Sequence, residues 1–445
     1  MKRLLYAGAL ALGAATIALP LQAKDEAPRT LFTNVHVFDG TNEARIENAN
    51  VLIEGNLIKT VSTKSIPAEG ATVIDGGGRT LVPGFIYAHE HIMMQASSPE
   101  LLLQDDRYMA ILSTKTARMY LDRGITTIRD AAGNSYGLKA AIDKGLVPGP
   151  RIYPSGPMIS QTSGHADHRF PTTPTTFAGG NLDVMVTQRG DFIVADGVPE
   201  LLRATRENLR RGSSQIKIAV GGGTGSISDP LEVTEFLPEE ISAVVQAAED
   251  FGTYVMAHVY NSHGIRRAVD AGVKCIEHAN LIDKETLQYM KDKGVWLSPQ
   301  VSVYTFIPPG YTEGQAAKHR QAHEGIDAMF KAAKEIGFEN IVFGSDIISS
   351  PDQIETMLGE FEKRAQWFTP VEILRQATSK GGELMALSNV MNPYPGKLGV
   401  IEEGAYADIL LIEGDPLKDV KVILDFENNI DLIMKDGKIY KNSLN

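Results

Sequence analysis

Cysteine is nearly absent. Cys275 is the single thiol in 445 residues, so no disulfide can form within the chain and the fold must hold without one. Positive charge is scarce as well: 43 Lys and Arg stand against 55 Asp and Glu, a net charge of −12. That balance excludes nucleic acid as a partner, because phosphate binding needs a concentrated basic surface. After Leu21 no run is apolar enough to cross a bilayer. The HExxH helix motif is missing, which removes the thermolysin-like zinc proteases. What remains is ordinary for a globular protein, with 43% hydrophobic and 22% charged residues. The length suits two or three domains, or one α/β barrel with an accessory unit.

The first residues read as an address rather than as fold. Lys2 and Arg3 precede an apolar run from Leu4 to Leu21, which closes on Leu21-Gln22-Ala23 before the polar Lys24-Asp25-Glu26. This is the layout of a secretory signal peptide over residues 1–23, cut after Ala23. The competing reading is a membrane anchor, which Pro20 and the many Gly and Ala residues weaken. The expectation is a secreted or periplasmic protein with no membrane contact after cleavage.

Two patterns share the rest. From Thr30 to Val82 short alternating strands are separated by turns such as Asp39-Gly40 and Glu54-Gly55-Asn56. The tail after Lys397 repeats that style, with Lys435-Asp436-Gly437-Lys438 as a hairpin turn. Between the ends, short apolar strands alternate with helical segments. Eight candidates run from Phe85–His89 through Thr126–Asp130, Arg151–Pro154, Ile216–Val220, Tyr254–His258, Val273–His278 and Val295–Pro299 to Ile341–Asp346. Eight such units match a (β/α)8 TIM barrel, with a small β-sandwich domain built from both chain ends. The expected boundaries are 24–82 and 391–445 for the sandwich and 83–390 for the barrel.

His89, Asp130, His258, His278 and Asp346 all fall at the C-terminal ends of their strands, the face that carries the active site in this fold. One such histidine is more often structural, but several imidazoles and carboxylates buried together are costly unless a charged species binds them. His89 and His91, at i and i+2 on a strand, point to one side and suit Zn2+ or a similar ion. Glu90 points the other way and reads as structural. Lys217, between Ile216 and Ile218, faces a closed barrel's interior. Two readings stay open for it: an ammonium paired with a buried acid, or a carbamate formed with carbon dioxide that bridges two ions.

Val82-Pro83-Gly84-Phe85-Ile86-Tyr87-Ala88-His89-Glu90-His91 resembles the PG-[FL]-[IV]-D-x-H-x-H signature of the amidohydrolase superfamily, with Tyr87 where the pattern has Asp. Gln215-Ile216-Lys217-Ile218 is similar to the strand-four carboxylated lysine, Ala257-His258-Val259-Tyr260 and Ile276-Glu277-His278-Ala279 to the strand-five and strand-six histidines, and Phe343-Gly344-Ser345-Asp346 to the strand-eight aspartate. The segment from Gly399 to Ile409 resembles the family's returning β-strands. Gly156 to His165 and the His258-Val259-Tyr260 triplet resemble the imidazolonepropionase-like branch, which includes Xaa-Pro dipeptidases and ochratoxin-degrading amidohydrolases. The resemblance implies two divalent metal ions, Zn2+ first among Zn2+, Mn2+ and Co2+, held by His89, His91, Lys217, His258, His278 and Asp346. His89, His91 and Asp346 would hold one ion, His258 and His278 the other, with a carbamate on Lys217 between them. It implies hydrolysis of an amide by a metal-bridging hydroxide, with Asp346 as proton carrier. His165 is expected to stabilise an oxyanion or meet a substrate carboxylate, and Tyr260 to contact that carboxylate. The implied partners are a dipeptide or other small-molecule substrate and further copies of the chain in a homo-oligomer.

Three alternatives keep their place beside this. A cyclic amide such as imidazolonepropionate is another substrate of the same chemistry. Gly221-Gly222-Gly223-Thr224-Gly225 after a strand suggests a phosphate cradle, although Ser226 stands where the dinucleotide fingerprint needs its third glycine. A periplasmic metal- or solute-binding protein would use the same ligands without turnover. His36, His168, His263, His319 and His323 read as surface or structural, and the segment 170–198 as a loop over the site's mouth.

Overall fold

The computed structural model describes residues 27–182 and 184–444. The signal segment and its cleavage point lie outside the described residues. Both chain ends build one eight-stranded sheet. In hydrogen-bonding order it runs Lys438–Asn442, Ile430–Lys435, Ile409–Ile412, Thr80–Pro83, Arg29–Val37, Ile46–Glu54 and Leu57–Ser62, with Ala71–Asp75 added parallel to Arg29–Val37. The seam between the ends is antiparallel, with Ile409 opposite Pro83 and Ile412 opposite Thr80. Alternation decides which core each side chain joins. Ile409 and Leu411 pack with Phe32, Val51 and Leu81 in the sheet's own core. Leu410 and Ile412 face the opposite way, into the main core of the molecule. A strand buried on both faces fastens the terminal sheet to the central body.

That body alternates parallel strands with helices. Phe85–Glu90, Ile125–Asp130 and Arg151–Pro154 form a three-stranded sheet. A six-stranded one runs Phe192–Val194, Met158–Ser160, Ile216–Ala219, Val255–Asn261, Cys275–Leu281 and Trp296–Ser298. Hydrogen bonds flank the three-stranded sheet on both sides, one toward the six-stranded sheet and one to the segment that holds Phe343. Ser214 N donates to Pro154 O at 2.8 Å, and Ala88 N donates to Phe343 O at 2.6 Å. The last of the eight sequence candidates, Ile341–Asp346, is not a regular strand. It has one bridge, Ile341 to Leu297, and otherwise joins its neighbours through single bonds such as Val342 N to Leu297 O.

The third candidate is longer than the sequence pattern indicated, and interrupted. Gly156 takes φ +70°, and Pro157 has no amide hydrogen to give a ladder. The chain therefore leaves pairing after Pro154 and resumes it at Met158–Ser160. The segment 170–198 is likewise more structured than a loop. It holds the short helix Met185–Gln188 and the strand Phe192–Val194, which pairs with Met158–Ser160. No described helix is long and apolar enough to cross a membrane.

Candidate metal centre

Strand ends bring the predicted ligands together at one face. His89 and His91 leave the strand Phe85–Glu90, His258 lies on Val255–Asn261, His278 on Cys275–Leu281, and Asp346 follows the irregular eighth segment. His89, His278 and Asp346 offer ligand atoms all within 4.8 Å of one another, a group able to hold a metal ion. His91 Nε2 lies 3.0 Å from Asp346 Oδ1. His258 joins through its ring, whose centroid is 4.5 Å from that of His278. Lys217, 1% exposed, opens into the same cavity of about 360 Å³.

The backbone spends conformational energy here. His278 has φ +70°, Ala279 +58° and Asp346 +52°, left-handed values that side-chain-bearing residues rarely adopt. The pair His278–Ala279 coincides with a register shift against Val255–Asn261. The irregularity breaks the in–out alternation, so Glu277 and His278, though adjacent, both reach the centre.

Protons within the site can be placed from their partners. Glu277 Oε2 is 2.6 Å from His89 Nδ1, while Arg129 donates to its other oxygen at 2.7 Å. Burial opposes ionisation of Glu277, but Arg129 and His89 outweigh it and hold the carboxyl well below its ordinary range. An ionised carboxylate is only an acceptor, so the His89 proton sits on Nδ1. His89 Nε2 is then a bare lone pair, and it faces Asp346 Oδ1 at 3.4 Å. Burial, with Lys217 adding to it, lowers the His89 pKa to about 4. Asp346 is held below the usual carboxylate range because its neighbouring imidazoles outweigh its burial. A neutral imidazole nitrogen and an anionic oxygen therefore confront each other with no proton between them. This donor set fits a divalent cation. His91 adds a buried Nδ1 without a hydrogen-bond partner among the described residues.

The rings on the neighbouring strands are held in a similar way. Gln300 Oε1 accepts at 2.8 Å from His278 Nδ1, which frees its Nε2. Burial drives the pKa values of His258 and His278 down, so both imidazoles stay neutral. Burial also lowers the Lys217 ammonium to about 8, against the pull of Glu277 and Asp346.

The two other predicted residues line the cavity outside this cluster. His165 stacks on His258 at 4.0 Å and 9°. Tyr260 stacks on His278 at 5.1 Å and 8°, and its hydroxyl meets that of Tyr304 at 2.7 Å. Sequence reasoning missed Glu277, Arg129, Gln300 and Tyr304. Glu277 stands beside a quoted histidine, but nothing in the strand pattern signals its inward aim. Tyr87 is no substitute for the family's Asp: its hydroxyl donates to Met357 O at 3.4 Å, away from the histidines. Glu277 on a different strand supplies the carboxylate instead. Glu90 is structural, accepting from the Tyr120 hydroxyl and Ser345 N at 2.6 Å each. Burial pushes its carboxyl up to about 8. His319 is a core residue bonded to Val303 O, whereas His168, read as surface or structural, lines the cavity.

Residues 80–440 match the amidohydrolase family model. The chain belongs to the amidohydrolase family, a class of hydrolases in which metal dependence is typical. It is 31% identical over 330 residues to the ochratoxinase of Aspergillus niger, a match covering 72% of this chain and 66% of that protein. The chain thus spans just under two thirds of this curated relative. Among solved structures, a prolidase in complex with N-methylphosphonate-L-proline is 32% identical, with a TM-score of 0.85 over 93% of this chain and 100% of its own. A Xaa-Pro dipeptidase with methionine in its active site is 29% identical, with a TM-score of 0.80 over 93% of this chain and 100% of its own.

Proposed function

We propose that the chain is a binuclear metal-dependent amidohydrolase that cleaves the amide bond of a carboxylate-bearing substrate. Xaa-Pro and other dipeptides, N-acyl amino acids and ochratoxin A are the candidates. The observation that carries the reading is the lone pair of His89 Nε2 set against Asp346 Oδ1 in a buried cavity. Two acceptors so placed repel unless a cation lies between them. His89, His91 and Asp346 would hold one ion and His258 and His278 the other, with a carbamate on Lys217 joining them. A buried lysine with a lowered pKa offers the neutral amine that carbamate formation requires. When bound, the ions supply Lewis acidity and bring the pKa of water down to roughly 7, with Zn2+ the first expectation.

The chain's own residues do the rest. Glu277 and Gln300 fix the ring protons so that lone pairs face inward. Asp346 carries a proton from the attacking water to the leaving nitrogen. His165 and Tyr260 touch the substrate from the cavity wall. Met94, Leu101, Met158, Val186 and Phe192 form an apolar cluster on that wall, which suits a substrate with an apolar side chain and excludes water. The framework we propose is a (β/α)8 TIM barrel over 83–390 with a β-sandwich domain from 24–82 and 391–445. We further propose export to the periplasm or medium after cleavage at Ala23, and a homo-oligomer.

The test is a panel of methionyl-proline, other dipeptides, N-acetyl amino acids and ochratoxin A with metal analysis. Turnover lost on chelation and restored by Zn2+, Mn2+ or Co2+ supports the reading. Absence of any amide hydrolysis by the metal-replete protein would leave a binding protein instead. Against the phosphate-cradle alternative, the Gly223 amide is already occupied by Asp229 at 2.6 Å.

A further inference from the structure

The glycine-rich loop Gly221–Gly225 is the feature that the metal centre leaves unexplained. It connects the strand that carries Lys217 to the wall of the cavity, and Gly223 lies against His165. A Cβ on Gly223 would collide with the His165 imidazole, so the close approach needs glycine. Lys318, from the helix Glu313–Ile336, donates to Gly223 O at 2.6 Å, Ser226 O at 2.8 Å and Asp229 O at 2.9 Å. One ammonium thus clamps the loop to the turn that follows it. The Gly223 amide donates to Asp229 Oδ2 at 2.6 Å, which aims that carboxylate back toward the histidine.

His165 Nδ1 lies 3.0 Å from Ser226 Oγ and 3.4 Å from Asp229 Oδ2. The Ser226 hydroxyl donates to Gly223 O at 3.2 Å, so toward His165 its oxygen is an acceptor. The Asp229 side chain is fully buried. Burial opposes its ionisation, but His165, Ser226, whose one proton is shared between this carboxylate and Gly223 O, and the charge of Lys318 hold its pKa below the ordinary value. Both neighbours of Nδ1 are therefore acceptors, and the ring's proton must sit on Nδ1. His165 Nε2 has no partner among the described residues, and the ring lines the cavity.

We infer that Asp229, with Ser226, is a positioning residue that locks His165 in its Nδ1–H tautomer and aims Nε2 into the cavity as a hydrogen-bond acceptor. The group His165 meets is then a donor, the attacking water or a substrate N–H, rather than a carboxylate or an oxyanion. This rests on the proposed hydrolase reading for its consequence in turnover, but not for the tautomer itself. It also gives Gly223 a purpose: it lets the loop come close enough to grip the imidazole.

The experiment has two arms on the full-length, metal-replete protein. In the first, the 15N spectrum of histidine-labelled protein reports which ring nitrogen carries the proton, His165 being assigned by its loss in His165→Ala. The wild type is expected to show Nδ1–H, and Asp229→Ala with Ser226→Ala to shift His165 toward Nε2–H. A proton on Nε2 in the wild type overturns the inference. In the second arm, methionyl-proline or the best substrate of the panel is assayed in a double-mutant cycle. Asp229→Ala is expected to lower kcat about 100-fold with KM changed less than about threefold, and to cost nothing further in a His165→Ala background. An equal loss in both backgrounds marks Asp229 as merely structural. Asp229→Asn keeps the size and the Gly223 bond should the alanine variant not fold, and there the expected loss is about tenfold. If no panel member is hydrolysed by the wild type, the hydrolase reading fails, and the tautomer still stands or falls on the first arm.

Discussion

Buried charge collects at both ends of the parallel strands, and the two collections differ in kind. At the N-terminal end, Arg151 meets Asp408 through two bonds of 3.1 and 3.2 Å and Asp436 through a third of 2.7 Å. Its guanidinium lies 4.2 Å from the Tyr406 ring centroid, and Lys435 Nζ donates to Gly149 O at 2.8 Å. Every charge there has a protein partner already in place. At the C-terminal end the imidazoles of His89, His91 and His278 converge on one carboxylate, and His89 turns a lone pair rather than a proton toward it. The first cluster is complete and so can only hold the terminal sheet to the body. The second is complete only with a cation, and its incompleteness is the functional signal. Buried polar groups inform by what they lack.

The largest way to break this contrast is Asp346→Asn. Removing the central anion should abolish metal retention and lower amide turnover by at least about 10³-fold, read by metal analysis and kcat. At the opposite end the outcome should reverse. Arg151→Met leaves Asp408 buried and unpaired, at a cost of about 3–5 kcal/mol in urea unfolding, with kcat per folded molecule unchanged. Arg151→Met with Asp408→Leu should recover most of that loss. A double variant as unstable as the single one would show that the pair contributes more than mutual neutralisation.

Glu277→Gln sharpens the comparison, because Glu277 takes part in both kinds of interaction. It closes an ion pair with Arg129 and orients His89. Metal affinity should fall about 10–100-fold, as for other residues that orient a ligand, and the melting temperature should fall with it because Arg129 loses its counter-charge. Loss of stability alone, with metal affinity intact, would place Glu277 in the structural class with Asp408.

How much of this was legible in the sequence follows from where the backbone is regular. His89 and His91 could be paired because i and i+2 share a side on a strand, and the two lie at the end of Phe85–Glu90. The β-rich ends also followed from alternation, whereas the continuous apolar run Ile409–Ile412 did not signal that the strand is buried on both faces. Glu277 did not, because the left-handed backbone at His278 and Ala279 cancels alternation where it matters. The interruption at Gly156-Pro157 and the loss of regular pairing after Ile341 escaped for the same reason. Tyr304, which reaches His278 Nδ1 at 3.2 Å, comes from a 3-10 turn that no periodicity marks. Sequence pattern reports regular backbone, and the site is built where regularity ends.

The smallest expected effect tests whether the N-terminal cluster is as complete as it looks. Lys435 is the one member whose charge strains its position: burial first, then Arg151, lowers its pKa from 10.5 to about 8. Between about pH 8 and 10.5 the unfolded chain keeps this ammonium protonated while the folded chain has released the proton. The unfolded state binds more protons in that window, so stability rises with pH across it. Lys435→Met removes the titration and flattens that rise, by on the order of 2 kcal/mol after allowance for partial solvation. Urea midpoints of both proteins at pH 8 and pH 10 give the difference. Equal slopes would mean that Asp408 and Asp436 neutralise Lys435 as fully as they do Arg151, and the cluster would then be satisfied at every charge.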